Sequence, residues 1–337
     1  MRAKTIVLLL ALATLHLLVI FAGFIAPYDS AAQNREAPYS SPTRVHFVDA
    51  AGFHLRPFVY VSTFVLDSYQ EDRTCEFPIR LFVRGDTYTI LGMFKSTLHL
   101  FRVDEPGHIF LLGTDGYGRD EFSRLLYGGQ ISLAAGVLAT LLSLAAGAVI
   151  GTVSGYYGKW VDESLMGTAE LFLSLPWFYF LIAVRAFLPL HLSPARTFLL
   201  LICVIGLIGW ARPARLVRGV VLSARARNFV SAARGFGATD LYLLRRHIFP
   251  ETFGVLLTHT ALLVPQYVAA EATLSFFGLG VSEPVPSWGS MLSTLQQYNV
   301  LVSYGWLLAP AAALVVTSVI YWLLADALHS RLKSHSI

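Results

Sequence analysis

Five ionisable side chains lie within or beside the long apolar runs of this sequence: His16, Glu170, Arg185, His259 and Glu271. Charge is costly in hydrocarbon, so each is a candidate for a proton relay or a substrate contact. Glu170, Arg185 and Glu271 also have a plainer reading, because each falls near an end of its run, where water or a neighbouring helix can satisfy it. A second group, Gly113, Gly116 and Gly118 with Asp115 and Asp120 in "GTDGYGRD", has the composition of a calcium loop but lacks the twelve-position acidic pattern. A turn leading into an amphipathic helix accounts for it better. The motifs H-E-x-x-H, G-x-S-x-G and G-x-x-x-x-G-K-[ST] do not occur. The chain therefore has no means of hydrolysing a nucleotide by itself, and no catalytic, cofactor or metal residue is assigned. Cys75 falls in a polar region and Cys203 in an apolar run, which argues against a disulfide and leaves no metal-ligand spacing.

The elements that must position these groups are helices in lipid. Of the 337 residues, 55% are hydrophobic and only 14% charged, and the mean hydropathy is positive. The apolar residues gather in runs of about 20, the length a helix needs to cross a hydrocarbon core. Six crossings are expected, at residues 5–26, 131–153, 164–188, 192–210, 252–277 and 304–325. The first is too long for the apolar core of a cleaved signal and lacks a clear small-x-small site, so it is expected to stay as an anchor. The fourth is flanked by Arg196 and Arg212, which can extend to the two interfaces.

The net charge of +4 does not indicate nucleic acid, because the basic residues cluster beside the apolar runs and do not interleave with stacking aromatics. They report orientation instead. Residues 212–251 carry arginines at 212, 215, 218, 225, 227, 234, 245 and 246 against only Asp240 and Glu251, which makes this loop cytoplasmic. Threading six spans from it places both termini in the cytoplasm and residues 27–130 outside. A connection of about a hundred residues is too long to be a simple loop and should fold. "PIRLFVRGDTYTIL" reads as a hairpin around Arg84-Gly85-Asp86, and "FVYVSTFVLDSY" as a further strand. The expected fold is thus an all-α integral membrane protein with six transmembrane helices, a cytoplasmic loop and an external β-containing insertion.

Within that loop, "SAARGFGATDLYLLRRHIFP", residues 231–250, predicts two short helices at an angle. Gly237 can take the left-handed conformation that ends the first, and Thr239 or Asp240 can cap the second. Leu241, Leu244 and Ile248 share a face of the second helix, and Pro250 is expected to stop it before the fifth span. On physical grounds the pair either lies in the membrane interface or docks a protein.

The spacing of this segment resembles the "EAA" loop of bacterial ABC-importer permeases. Ala232, Ala233, Gly237, Ile248 and Pro250 stand at matching positions, while Ser231 replaces the usual glutamate. "LGTDGYGRDEFSRLLYGGQISL", "VDESLMGTAELFLSLP", "WARPARLVRGVVLSARARNFV" and "EATLSFFGLGVSEPVPSWGSML" resemble the dipeptide, oligopeptide and nickel group, specifically its second or C-type subunit. The resemblance covers about two thirds of the chain, and the stretch 29–110 is the departure from it. It implies residues 1–26 as an N-terminal span, 27–112 as an extracytoplasmic insertion and 113–337 as a five-span core with coupling loop 212–251. It also implies a bacterial inner-membrane location, with partners comprising a homologous permease, two cytoplasmic ATPase subunits and an extracytoplasmic solute-binding protein. Ser231, Ala232, Ala233, Gly237, Asp240, Ile248 and Pro250 would form the ATPase-coupling loop. Gly113, Thr114, Asp115, Gly118, Arg119 and Asp120 would help form an outer gate or binding-protein seat. Peptides are the expected solute, with nickel chelates and oligosaccharides as others. A proton-coupled secondary transporter using Glu170 or Glu271 is the alternative.

Overall fold

A computed structural model describes residues 2–334 apart from 50–51, 66–67, 91, 188 and 190–191. Residue 188 of the expected third span and residues 66–67 of the expected strand lie outside the described residues. In chain order the elements are α1 (Arg2–Ile20), α2 (Ala22–Ile25), β1 (His46–Asp49), β2 (Gly52–Val65), β3 (Ser68–Pro78), β4 (Arg80–Ile90) and β5 (Phe94–Arg102). There follow α3 (Glu121–Tyr157), α4 (Lys159–Ser174), α5 (Trp177–Phe187), α6 (Pro194–Ile208), α7 (Ala211–Arg225), α8 (Asn228–Gly235) and α9 (Asp240–Leu243). A π-helical turn at Leu244–Ile248 joins α9 to α10 (Phe249–Phe276), and α11 (Trp288–Leu292), α12 (Tyr298–Ser303) and α13 (Ala309–Ser334) complete the chain.

Among the described residues, four helices are long and apolar enough to cross a membrane, and six spans result if each of two bent pairs is one. The first pair, α4 with α5, turns through 91°. Its cause is Pro176, which excludes helical geometry from the residue before it, and Leu175 is extended at ψ 137°. The expected third span is therefore broken in the middle. The second pair, α6 with α7, bends by 44°. Helix α6 begins with Pro194 behind Ser193, where the missing N–H has no partner to lose.

The chain divides into two compact units, each with its own packing. In the unit made of residues 1–12, 133–274 and 316–337, α3 and α7 approach closely. Gly147, Gly151 and Gly155 repeat at the i, i+4 spacing that lines one face of α3, and the backbone of α7 lies directly against them. A β-carbon on Gly147 would stand 2.6 Å from Pro213 Cβ and 3.0 Å from Ala214 N, and one on Gly155 would stand 2.9 Å from Arg218 O. Small residues permit such approach, which in lipid is a main source of helix association. Asp162 on α4 is tied to Arg218 on α7 by two hydrogen bonds, one of them 2.5 Å from Nε, and also accepts from the Ser154 hydroxyl. Tyr267 on α10 is 2.9 Å from Ser143 Oγ on α3 and is buried.

The other unit contains residues 13–132 and 275–315. Its strands form two antiparallel sheets, β1-β2-β3 and β4-β5. The hairpin expected around Arg84-Gly85-Asp86 is displaced: these residues lie inside β4, and the chain reverses between Ile90 and Phe94, where Gly92 has φ 70°. Gly85 and Asp86 instead occupy an irregularity between Arg84 and Tyr88. His99 of β5 fills it, with Nε2 3.0 Å from Asp86 O and Nδ1 2.8 Å from Ala26 O. An apolar cluster of Val59, Val103 and Ile109, flanked by Tyr28, Phe77 and Phe101, forms a core for the strands.

The α3–α7 contact makes Gly151 intolerant of a side chain, since its β-carbon would overlap Ala214 O and stand 2.9 Å from Val217 Cβ. Gly151→Leu is expected to cost about 3 kcal/mol or more through overpacking. Gly167→Leu, at a position with open space around it, is the control. Thermal unfolding of the detergent-purified chain should show a large fall in Tm for the first and little for the second.

Candidate functional site

Two constellations gather the residues singled out in the sequence, one in each unit. The first is the turn between α8 and α10. Helix α8 ends as its sequence requires: Ala238 N donates to Ala233 O and Gly237 N to Arg234 O, both at 3.0–3.1 Å, with Gly237 at φ 85°. This is the Schellman pattern, in which a left-handed glycine closes the carbonyls of the last turn and small apolar residues meet across it. Thr239 then caps α9, its side-chain oxygen accepting from Tyr242 N. The expectations for Gly237 and Thr239 hold at the level of backbone geometry.

Beyond α9 the structure departs from expectation at Pro250. It stops nothing, because residues 240–276 run as one helix of 37 residues. Proline lacks the N–H that would bond four residues back and its ring crowds that carbonyl. The π-helical turn just before it absorbs the defect, with Phe249 N–H bonding Leu244 O five residues back. The wider turn also shifts the apolar face: Leu243 and Ile248 are buried, whereas Leu241, expected inside, is 66% exposed.

Beneath the turn, Val230, Leu243 and Ile248 pack with Val217, Val221, Ala224 and Tyr156, and Ala233 lies against this cluster. Asp240 binds the Tyr156 hydroxyl and faces Arg234 at 3.5 Å, while Arg234 Nη2 donates to Tyr156 Oη at 2.9 Å. Arg225 closes the bracket on Tyr156 O at 2.6 Å. Sequence reasoning missed Tyr156, which lies in the last turn of α3 more than eighty positions from Asp240. On the outer side Ser231, Ala232, Gly237 and Pro250 are exposed, beside Phe236 at 93% and Tyr242 at 52% exposure. A helix-turn-helix with a small-residue surface and exposed aromatic side chains can dock another protein.

The second constellation is "GTDGYGRD". Thr114 and Asp120 form an isolated antiparallel bridge around it. Thr114 is wholly buried, donating to Ala37 O at 2.6 Å and accepting from Ser40 N at 2.7 Å. Gly113 lies against Ser40 O and the Trp306 ring, and Gly118 against the Asn34 carbonyl, so neither position has room for a side chain. Asp115 Oδ1 accepts from Tyr117 N at 2.8 Å and Arg119 N at 3.0 Å, and its Oδ2 takes Arg119 Nε at 2.7 Å. Arg119 then reaches Glu283 at 2.7 and 3.3 Å, and Arg124 reaches the same carboxylate at 3.0 Å. These groups line a cavity of 420 Å³ with Thr294 and Leu307.

Burial of Glu283 opposes its ionisation, yet the charges of Arg124 and Arg119 and their hydrogen bonds hold its carboxyl below the usual range. Arg119 is correspondingly pushed up: burial works against its charge, and Asp115 and Glu283 overcome it. Neither Arg124 nor Glu283 was singled out in the sequence. No signal for Glu283 was legible in the sequence, because three acids, Asp115, Asp120 and Glu121, already stand beside the two arginines. Of the intramembrane candidates, His16 stands on α1, Glu170 on α4, Arg185 on α5, and His259 and Glu271 both on α10. Glu170 is exposed on α4, whereas Arg185 on α5 and Glu271 on α10 are buried.

Residues 147–334 match the family model described as binding-protein-dependent transport system inner membrane component. The chain is 39% identical over 228 residues to the oligopeptide transport system permease protein OppC of Escherichia coli K12, covering 68% of this chain and 72% of that one. It is 35% identical over 241 residues to OppC of Bacillus subtilis, covering 70% and 76%. It is 34% identical over 221 residues to the dipeptide transport system permease protein DppC of Bacillus subtilis, covering 65% and 67%.

Asp120 couples the second constellation to pH. It caps α3 through Oδ2, which accepts from Ser123 N at 2.8 Å and Ser123 Oγ at 2.6 Å. Among the described residues its Oδ1 is buried without a hydrogen-bond partner. Burial pushes the carboxyl up to about 7, against the hydrogen bonds from Ser123. The unfolded value is about 3.9, so the folded state holds the proton more tightly. Stability from this group is complete below the unfolded value and is lost as pH rises through about 7. Asp120→Asn keeps a good cap but cannot titrate. The Tm of the original chain should therefore fall relative to that of the variant between about pH 4 and pH 8, and a pH-independent difference would exclude the assignment.

Proposed function

The chain belongs to the family of binding-protein-dependent transport system inner membrane components, and from that premise we propose that it is the C-type transmembrane subunit of an ATP-driven peptide importer. Membership makes it a transport component and not an enzyme, working with a second permease, an ATPase and a binding protein. The proposed assembly has one homologous permease and two ATPase subunits. Relatives named for oligopeptide and dipeptide transport support peptides as the cargo. Nothing in this kinship supports the alternative of a self-contained proton-coupled transporter using Glu170 or Glu271.

The observation that carries the coupling role is the α8–Gly237–α9 turn, buried beneath and exposed above. In this reading Ser231 and Ala232 present a surface to the ATPase, Ala233 seats α8 on the apolar cluster beneath, and Gly237 fixes the angle between the helices. Asp240 and Ile248 anchor the turn, and Pro250 sits where it continues into α10. Because α9, the π turn and α10 are one helix, displacement of the turn passes into a membrane span without a joint. Closure of the ATPases would then shift that span between outward and inward arrangements.

The proposal has six crossings, with the bent α4–α5 pair as the third and α6 as the fourth, and both termini cytoplasmic. Residues 27–112 form the extracytoplasmic insertion on a core of 113–337, and the loop is 212–251. Gly113, Thr114, Asp115, Gly118, Arg119 and Asp120, with Arg124 and Glu283, form an external gate or binding-protein seat.

The decisive experiment reconstitutes the chain with its partner permease and ATPases and measures ATP hydrolysis with and without peptide-loaded binding protein. Gly237 has no atom within 4 Å of where a β-carbon would stand, so a side chain there costs only backbone strain, about 1–2 kcal/mol. Gly237→Ala should assemble, whereas Gly237→Trp should fold but lose ATPase association and peptide-stimulated hydrolysis. Unaltered association of the tryptophan variant would refute the docking role.

Cys75, exposed on β3, tests the topology. In a Cys203→Ser background a membrane-impermeant maleimide should label it from the outer side of spheroplasts. Labelling only after permeabilisation would reverse the orientation.

A further inference from the structure

We propose that Asp49, His54 and Glu76 form a binding site for one divalent transition-metal cation of the zinc class. The three residues lie on β1, β2 and β3, and their ligand atoms all stand within 4.8 Å of one another. His54 Nε2 is 3.0 Å from Asp49 Oδ2, and Asp49 Oδ1 accepts from Gly52 N at 2.9 Å, which fixes the carboxylate at the end of the hairpin. Tyr60 Oη donates to Glu76 Oε1 at 3.4 Å and steadies the third donor.

Regular strand pairing would not bring these positions together. Between His46↔Phe58 and Val48↔Phe53, β2 advances five residues while β1 advances two. Between Tyr60↔Glu76 and Val61↔Asp72, β3 advances four residues while β2 advances one. Both irregularities fall beside the cluster, and bulges of this kind re-aim side chains that a flat ladder would keep apart.

The donor set selects the class of ion. A neutral imidazole and two carboxylates present a charge of about −2, which a divalent cation neutralises. Zinc sits roughly 2.0–2.2 Å from nitrogen and oxygen donors, so three donors this close can converge on one ion with small side-chain shifts. Calcium prefers six to eight oxygen ligands and magnesium near-ideal octahedral oxygen, and neither is served by one imidazole and two acids. The side chains of His54 and Asp49 are 39% and 12% exposed, so an ion reaches the site from solvent and keeps open positions for water. Bound there, it would tie the three strands across both bulges. The site stands independently of the transport assignment.

The test uses the full chain, purified in detergent and stripped with a chelator. Zinc ion alone is titrated against a competing fluorescent chelator, and cobalt(II) serves as a spectroscopic substitute. The expected result is one saturable equivalent, with cobalt producing visible ligand-field bands. His54→Ala and Glu76→Gln should each weaken binding by at least the roughly 10–100-fold that loss of even an outer partner costs. His329→Ala, at an exposed histidine on α13, should leave binding unchanged, and excess calcium should not displace zinc. Unfolding in the presence of chelator checks that both site variants fold. The proposal fails if no saturable equivalent is found, if both folded site variants bind as the original does, or if calcium competes at equal concentration.

Discussion

The close approach of α3 and α7 sets the geometry on which the rest of their unit depends. Two helix backbones can come this close only where the shapes of their facing surfaces allow it. Three glycines at i, i+4 spacing remove the side chains that would hold the backbones apart. With α7 held there, Val217 and Val221 are placed beneath α8 and α9, and Tyr156 reaches Asp240 from the end of α3. The exposed turn thus rests on the packing of α7 against α3. Arg218, on the same helix, keeps its charge by pairing with Asp162.

In the other unit the organising constraint is electrostatic. Arg119 and Arg124 are almost wholly buried, and a buried charge is tolerable only when paired and hydrogen-bonded. Asp115 supplies one partner locally. Glu283 supplies the second from more than 150 residues away, meeting both guanidinium groups at once. Asp115 and Glu283 together therefore neutralise the two buried cations, each carboxylate meeting both arginines, and the loop carrying Glu283 is fixed by charge as well as by packing. Trp306 adds a neutral tie, donating to Thr114 O at 3.1 Å.

Features set by local chemistry were legible in the sequence. Gly237 takes the left-handed conformation and Thr239 the cap, because each acts within a few residues. The apolar runs give the helices, and the insertion contains strands. Errors arose where a distant or non-local solution was available. Pro250 reads as a stop, yet a π turn reroutes the hydrogen bonds and the helix continues. Gly85-Asp86 reads as a turn, yet His99 from the opposite strand satisfies the backbone there and the reversal moves to Gly92. Pro176 was passed over inside an apolar run whose hydropathy conceals a right-angled break. Tyr156 and Glu283 were invisible for a different reason: their roles are defined by partners that only folding brings near. Ser231, Ala232 and Ala233 are located by the structure, and the family pattern alone suggests what they touch.

The π turn at Leu244–Ile248 has a consequence for how this chain can vary over time. A π turn is equivalent to one residue inserted into an α-helix, and one residue corresponds to about 100° of rotation. Every side chain from Phe249 to Phe276 is therefore phased against the preceding turn by that single insertion. Substitutions can accumulate along this segment, but a gain or loss of one residue near position 246 would turn the whole buried face of the span, with Tyr267 and Glu271 on it, toward lipid. Among related chains, the number of residues between the left-handed glycine and the span should be far more constant than the residues themselves.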